Sequence, residues 1–427
     1  MKKFFLHSLG CKVNSYENSS VAILLQKEGY LETNKEEEAD IIILNTCSVT
    51  GKADQKSRQH ISSYRRNNPK AIIVAMGCYS QSHAEQAASL GADIVLGASS
   101  RSLIPSYIKE IEERGGKVID VKNSVRKEKY EELGTATFCE NARAYLKIQD
   151  GCDNFCSYCY IPFLRGNSRS RESRDVIKES ENLVARGYKE IVITGIHIGG
   201  YGKDLGDGSY RLSDLLEDIL VSCPSLYRLR VSSIEESEID DKFLSLLSRF
   251  PNIASHLHIP LQSGSSSVLR RMKRKYDTDA FLAKLEAIRA VRSDIAITTD
   301  VIAGFPLESE EEWGETMSFC RKANFAEIHV FPFSSRPLTY ASTLKDTDPK
   351  IKKARVQELL ALSKSMRKEY EERFYGKKME VLFEDFDEKK GLLKGHSSNY
   401  LLFEVPSAEP RHGEVDEIVY NPSVAGD

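Results

Sequence analysis

The sequence predicts a multidomain α/β protein, and three patterns carry that prediction. Through the first 120 residues, apolar strand-length runs alternate with polar, helix-length stretches, the pattern of a parallel sheet flanked by helices. Six further strand and helix units follow between residues 145 and 333, too few for a closed barrel of eight. Beyond residue 378 the pattern becomes short alternating strands separated by turn signals. A chain of 427 residues has room for two to four domains at roughly 100 to 200 residues each. Its 41% hydrophobic and 29% charged residues exclude wholesale disorder. No apolar run approaches the ~20 residues of a membrane span, and the opening segment, interrupted by His7, is too brief for a secretory core. A cytoplasmic protein is expected.

In order along the chain, residues 1–120 form an N-terminal sheet domain with strands at 3–9, 40–45, 71–75 and 93–96. Residues 121–140, charged and without apolar periodicity, read as a linker. Residues 141–345 hold strands at 145–149, 190–194, 227–231, 256–260, 296–302 and 327–333, with helices among them at 175–186, 212–221 and 281–291. This is a TIM-like but partial (βα)6 barrel, and the missing strands leave a lateral opening. Pro349 opens a helix that runs to about Tyr370 within a connecting segment, 346–371. Residues 372–427, with turns at Lys390-Gly391 and 410–413, predict a small β-barrel.

Nine cysteines in a chain without export signals point to thiols, metal or catalysis rather than disulfides. Cys152, Cys156 and Cys159 form a C-x3-C-x2-C loop after the first strand of the second domain, a spacing expected by chance about 0.004 times in such a chain. Three thiolates on a compact loop suit a four-iron cluster with one iron lacking a protein ligand. Structural zinc requires a closed set of four. Cys11, Cys47 and Cys78 are far apart in sequence, yet each ends a strand, in FFLHSLGC, IIILNTC and IIVAMGC. The carboxyl ends of parallel strands share one edge, so these three either converge on a second cluster or are three separate buried thiols. Cys139, Cys223 and Cys320 share no spacing and read as structural.

Together these words resemble a known family. The C-x3-C-x2-C loop is similar to that of the radical S-adenosylmethionine (SAM) superfamily. GCKVN, NTCSVT, GCYSQ, LKIQDGCDNFCSYCYIP, RGNSRSR, HIPLQSGS, TDVIAGFP and FSSRP resemble its methylthiotransferase branch over nearly the whole chain. The resemblance implies an auxiliary-cluster domain, a radical-SAM partial barrel and a C-terminal TRAM domain. It implies two 4Fe–4S clusters, on Cys152, Cys156 and Cys159 and on Cys11, Cys47 and Cys78, with SAM serving as radical source and methyl donor. It also implies tRNA as substrate, and an electron donor such as a reductase or a flavodoxin-like protein. GCKVN, with Lys12 and Val13, is most similar to the members that act on threonylcarbamoyl-adenosine; those acting on isopentenyl-adenosine are the alternative. In two places the chain departs from the family pattern: Leu307 follows GFP where members usually carry Gly, and residues 336–341 read RPLTYA, with Leu338, where members usually read RPGTPA.

For the remaining site residues, Tyr158 occupies the position that in the superfamily lies against the SAM adenine; loop packing is the alternative. Gly195, Ser232, Gln262 and Asp300 lie at or just after strand ends, the catalytic rim of barrel folds, and are candidates for cofactor and substrate contacts or for simple turn and capping roles. Phosphate contacts are expected from Arg165, Arg169, Arg171 and Arg174, from Arg270, Arg271, Lys273, Arg274 and Lys275, and from the basic run at 350–368. Each run also reads as a solvated helix face. From residue 372 on, seven basic residues face twelve acidic ones, so RNA contact there falls to Lys377, Lys378, Lys389, Lys390 and Lys394, or to shape. A non-catalytic iron–sulfur electron carrier and a zinc-bearing RNA-binding protein are the readings from other classes.

Overall fold

The structure, a computed structural model, describes residues 1–122, 128–134 and 142–426. Most of the expected linker, and Cys139 with it, lies outside the described residues. The N-terminal sheet has six parallel strands in the order β2-β1-β3-β4-β5-β6: β1 (Lys3–Ser8), β2 (Leu31–Glu32), β3 (Ile41–Thr46), β4 (Ile72–Gly77), β5 (Ile94–Leu96) and β6 (Val118–Asp120). The sequence pattern shows four of these. It misses β2 and β6, which are two and three residues long and form by pairing with the ends of strands already in place. All six residues of β3 are buried because helices cover both faces of the sheet, so its first four, Ile41 to Leu44, read as an unbroken apolar run.

The second region contains β7 (Arg143–Asp150), β8 (Arg169–Ser170), β9 (Glu190–Gly195), β10 (Arg228–Val231), β11 (His256–His258), β12 (Ala296–Ala303) and β13 (Glu327–Pro332). β10, β9 and β7 pair in parallel, as do β11, β12 and β13, while β8 is a short antiparallel addition to β7. The parallel bridge of Leu229 to Ile253 and the bond from Ile234 N to His258 O (3.1 Å) link the two halves into a partial barrel. Side chains alternate along each strand. Leu146, Ile148, Leu229, Val231 and Leu257 pack outward into the layer of helices. Residues of the opposite parity, Lys147, Glu190, Arg230 and Asp300, give the interior a charged lining, and His256 beside them is kept neutral by burial and by Arg230.

The helix Pro349–Glu372 packs along β13, where Ser363 Oγ both donates to Ile328 O (2.9 Å) and accepts from Ile328 N (3.0 Å). The C-terminal strands β14 (Lys378–Asp387), β15 (Leu392–Ser397), β16 (Leu402–Pro406) and β17 (Val415–Val419) form an antiparallel sheet, order β16-β15-β14-β17, curled into a half-barrel. Its core of Val381, Phe383, Leu393, Phe403 and Tyr420 is continuous with Tyr370 and Phe374 and with Ala296 and Ala326 of the barrel. No helix among the described residues is long and apolar enough to cross a membrane.

Candidate functional site

Cys11, Cys47 and Cys78 each follow the carboxyl end of a strand, and those strands, β1, β3 and β4, are consecutive neighbours in the sheet. Neighbouring strands lie about 4.8 Å apart, which sets three thiols along one edge. Two glycines make the approach possible. Gly10 (φ +101°) leads into Cys11, and a Cβ there would stand 2.9 Å from Cys47 Sγ. Gly77, with the same φ, leads into Cys78, and a Cβ there would stand 2.5 Å from Asn45 Oδ1 and 2.6 Å from Thr46 O. The thiols feel one another: burial, then Cys78, pushes the Cys47 thiol up to about 11. Burial also raises Cys78, against the pull of Arg165, whose Nε donates to Cys78 Sγ at 3.4 Å.

The second triad is local. Cys152 Sγ accepts from Asn154 N (3.5 Å), Cys156 Sγ accepts from Arg274 Nη1 (3.4 Å), and Cys159 N donates to Cys156 O (3.0 Å). Burial, then Cys156, pushes the Cys159 thiol up to about 12. His197 stands beside this loop. Burial disfavours its charge, yet hydrogen bonds to Cys152 and to Glu238 (2.6 Å) carry it up to about 10.

The donor set tests what these thiols could hold. Three thiolates on a single zinc ion, at Zn–S about 2.3 Å, lie within about 4 Å of one another. Among the described residues, the one trio of ligating atoms within 4.8 Å is His197, Glu235 and Glu238, and neither cysteine triad is drawn that close. Wider spacing suits a cluster in which each cysteine takes its own iron. The His197 trio is itself an ion-pair set, since Glu238 is taken by His197 and Glu235 by Arg274 (2.8 Å).

A buried ion network joins the two regions. Glu17, fully buried, is approached by Arg101 (3.0 Å), Lys147 (2.8 Å) and Arg165 (2.9 Å), and these three cations outweigh burial and hold its carboxyl well below the usual range. Asp150 shares Lys147 (2.7 Å) and Arg165 (3.1 Å). Arg336, in the FSSRP stretch, pairs with Asp54 (2.6 Å) and Ser48 (2.9 Å), and Ser334 Oγ accepts from Gly51 N (3.1 Å). The end of the barrel thus grips the loop after Cys47.

Several expected phosphate contacts are corrected here. Arg165, Arg169 and Arg171 are buried; Arg165 belongs to the network above, and Arg171 pairs with Glu132 (2.6 Å) and Glu179. Arg274 is buried between Cys156, Glu235 and the Tyr276 ring, and both amino groups of Arg271 are taken by Glu312 at 2.7 Å. A basic run looks alike in sequence whether solvent or distant carboxylates answer it, and these carboxylates come from 17, 132, 150, 179, 235 and 312. Arg174, Arg270, Lys273, Lys275, Lys377, Lys378, Lys389 and Lys390 are exposed, while Lys394 is half-buried against Glu404.

Of the rim candidates, Asp300 meets His258 Nε2 at 3.2 Å, Ser232 N donates to Ile193 O (3.1 Å), and Gln262 (φ +68°) bridges β12 through its backbone. Gly195 is tightly packed, for a Cβ would stand 2.9 Å from Gln149 O and from Ile198. Tyr158 packs against the cluster of Val268, Met272, Ile302, Phe305 and Phe333. Sequence reading missed Glu17, Asp150, His197, Glu235 and Arg336. GIHIGG and SSIEES, each just past a strand, were the available signals for His197 and Glu235. Leu307 (φ +63°) and Leu338 (φ +64°), at the two departures from the family pattern, are exposed and keep the left-handed backbone that favours glycine.

Residues 3–97 match the uncharacterized protein family UPF0004, and residues 146–320 match the radical SAM superfamily. The chain is 41% identical to a threonylcarbamoyladenosine tRNA methylthiotransferase of Bacillus subtilis, over 96% of this chain and 92% of the relative. It is 36% identical to one of the same name from Thermotoga maritima, covering 95% and 91%. It is 32% identical to a tRNA-2-methylthio-N(6)-dimethylallyladenosine synthase of Oceanobacillus iheyensis, covering 98% and 81%. Among solved structures, a radical S-adenosylmethionine methyltransferase from Kitasatospora setae superposes with a TM-score of 0.57 at 14% identity, over 78% of this chain and 75% of that one.

Proposed function

The chain belongs to the radical SAM methylthiotransferase family, and on that premise we propose that it adds a methylthio group at C2 of the threonylcarbamoyl-adenosine beside a tRNA anticodon. Bound SAM supplies the methyl group and, on one-electron reductive cleavage, a 5′-deoxyadenosyl radical able to take hydrogen from an unactivated carbon. In this reading Cys152, Cys156 and Cys159 hold the cluster that binds SAM, and Cys11, Cys47 and Cys78 hold the cluster that carries the transferred sulfur. His197 and Arg274 place positive charge on the first set, against Cys152 and Cys156. The lateral opening of the barrel receives the extruded base. Exposed Arg270, Lys273, Lys275, Lys377 and Lys378 meet the RNA backbone, Lys275 giving up a surface hydrogen bond to Asn154 (2.8 Å) and Lys378 an ion pair with Glu417 (2.6 Å). A cytoplasmic site of action and a reductase or flavodoxin-like electron donor complete the reading.

The observation that carries the choice of substrate is Lys12. It opens the helix Lys12–Lys27 directly after Cys11 and, among the described residues, has no hydrogen-bond or ion-pair partner. Its side chain is exposed to solvent, yet partial enclosure, then the repulsion of Arg143 and Arg230, lowers its amine to about 8 against the pull of Glu190, so these charges of the barrel lining lie within its reach. An unanswered cation there suits a substrate side chain ending in a carboxylate, as threonylcarbamoyl does and isopentenyl does not. Incubating the loaded enzyme with two tRNAs, one bearing each modification, tests this. Methylthio product on the threonylcarbamoyl tRNA is expected; product on the isopentenyl tRNA alone would reassign the substrate.

A further inference from the structure

Each cysteine triad accepts one hydrogen bond from a buried arginine, but the donor to Cys78 comes from the other region of the molecule. Arg165 is 1% exposed and lies six residues beyond Cys159. Its Nε donates to Cys78 Sγ (3.4 Å), its Nη1 to Glu17 (2.9 Å) and Asp150 (3.1 Å), and its Nη2 to Asn14 (3.1 Å). Asn14 and Glu17 stand on the helix that begins after Cys11, and Asp150 stands two residues before Cys152. A single planar guanidinium therefore touches the chain segments that carry both triads.

We propose that Arg165 is a positioning residue that fixes the auxiliary cluster against the radical-generating domain and, through its N–H···S bond, makes that cluster easier to reduce. The proposal rests on the reading that Cys11, Cys47 and Cys78 hold an iron–sulfur cluster. Hydrogen bonds to cluster sulfurs are among the levers that set reduction potential, because they stabilise the extra negative charge of the reduced state. The bond here is charge-assisted and sits where little water screens it. A lysine could keep the charge but not the fork that reaches sulfur and two carboxylates together.

The deciding experiment uses protein in which Cys152, Cys156 and Cys159 are changed to Ala, so that only the auxiliary cluster remains, prepared with arginine labelled with nitrogen-15 in the guanidinium. After reduction, pulsed EPR should show hyperfine coupling to a labelled nitrogen. This protein keeps Arg165, so the measurement decides even where substituted proteins assemble poorly. In the otherwise intact chain, Arg165→Lys should move the auxiliary midpoint potential to a more negative value and leave that of the other cluster in place. It should also raise the 5′-deoxyadenosine formed per methylthio product several-fold. A triple variant without iron would refute the cluster reading itself. A triple variant that holds its cluster without nitrogen coupling, or an Arg165→Lys protein with two clusters and an unmoved auxiliary potential, would overturn the role of Arg165 while leaving that reading intact.

Discussion

Cys152, Cys156 and Cys159 occupy eight consecutive residues of one loop, whereas Cys11, Cys47 and Cys78 are gathered from three strands by the order of a sheet. The loop triad depends mainly on local turns, such as the left-handed backbone of Phe155 (φ +45°). The sheet triad depends on strand order, on two glycines that let neighbouring backbones close up, and on arginines that reach over from the barrel. A site assembled from distant segments should therefore be damaged from many positions, and a loop site from few.

The largest expected effect comes from the cysteines themselves. Reconstituted protein should hold about eight iron, and changing either triad to Ala should leave about four. Loss of the loop triad should end SAM cleavage, and loss of the sheet triad should end methylthio transfer while 5′-deoxyadenosine still forms. Loss of both activities in a protein that keeps its other cluster would break the contrast.

Gly77→Ala touches no cysteine, yet its Cβ would stand 2.6 Å from a backbone oxygen at a φ that disfavours any side chain. Iron and sulfide analysis should find the auxiliary cluster lost and the loop cluster retained.

Arg336→Ala, also distant in sequence, leaves Asp54 buried without its counter-charge and should cost about 3–5 kcal/mol in urea unfolding. A cost below about 1 kcal/mol would show the barrel's grip on the Cys47 loop to be dispensable.

On the barrel side, the fork from Arg271, against a smaller cost of burial, pulls the Glu312 carboxyl down to about 2. A folded value below the ordinary 4.5 stabilises the protein above pH 4.5, and that stability is lost as pH falls through about 2. Glu312→Gln should flatten the acid limb of the stability profile, with both cysteine triads unaffected.

The smallest effect belongs to Leu307→Gly, which relieves a left-handed leucine on an exposed loop and should gain at most about 1 kcal/mol. A clear loss on thermal unfolding would mean that the leucine side chain contributes more than its backbone costs.

What was legible in the sequence was whatever is encoded by neighbours along the chain. The apolar runs at the start of β3 and β4 announce strands because burial on both faces writes hydrophobicity into successive positions. The loop triad is visible as spacing, and the sheet triad as a repeated context of strand, then cysteine. β11 was expected through Pro260 and ends at His258, since proline has no N–H to give a ladder.

What only the tertiary structure decided is which charges meet. Arg165 and Arg174 belong to one basic stretch of the sequence, yet one is sealed between Glu17, Asp150 and Cys78 while the other is 86% exposed. The free energy of a buried charge is set by the groups that answer it across space, and for Arg165 those groups lie up to 151 residues away. Local sequence specifies strands and thiols; the packing of one region on the other selects which arginines serve the fold and which remain for an outside partner.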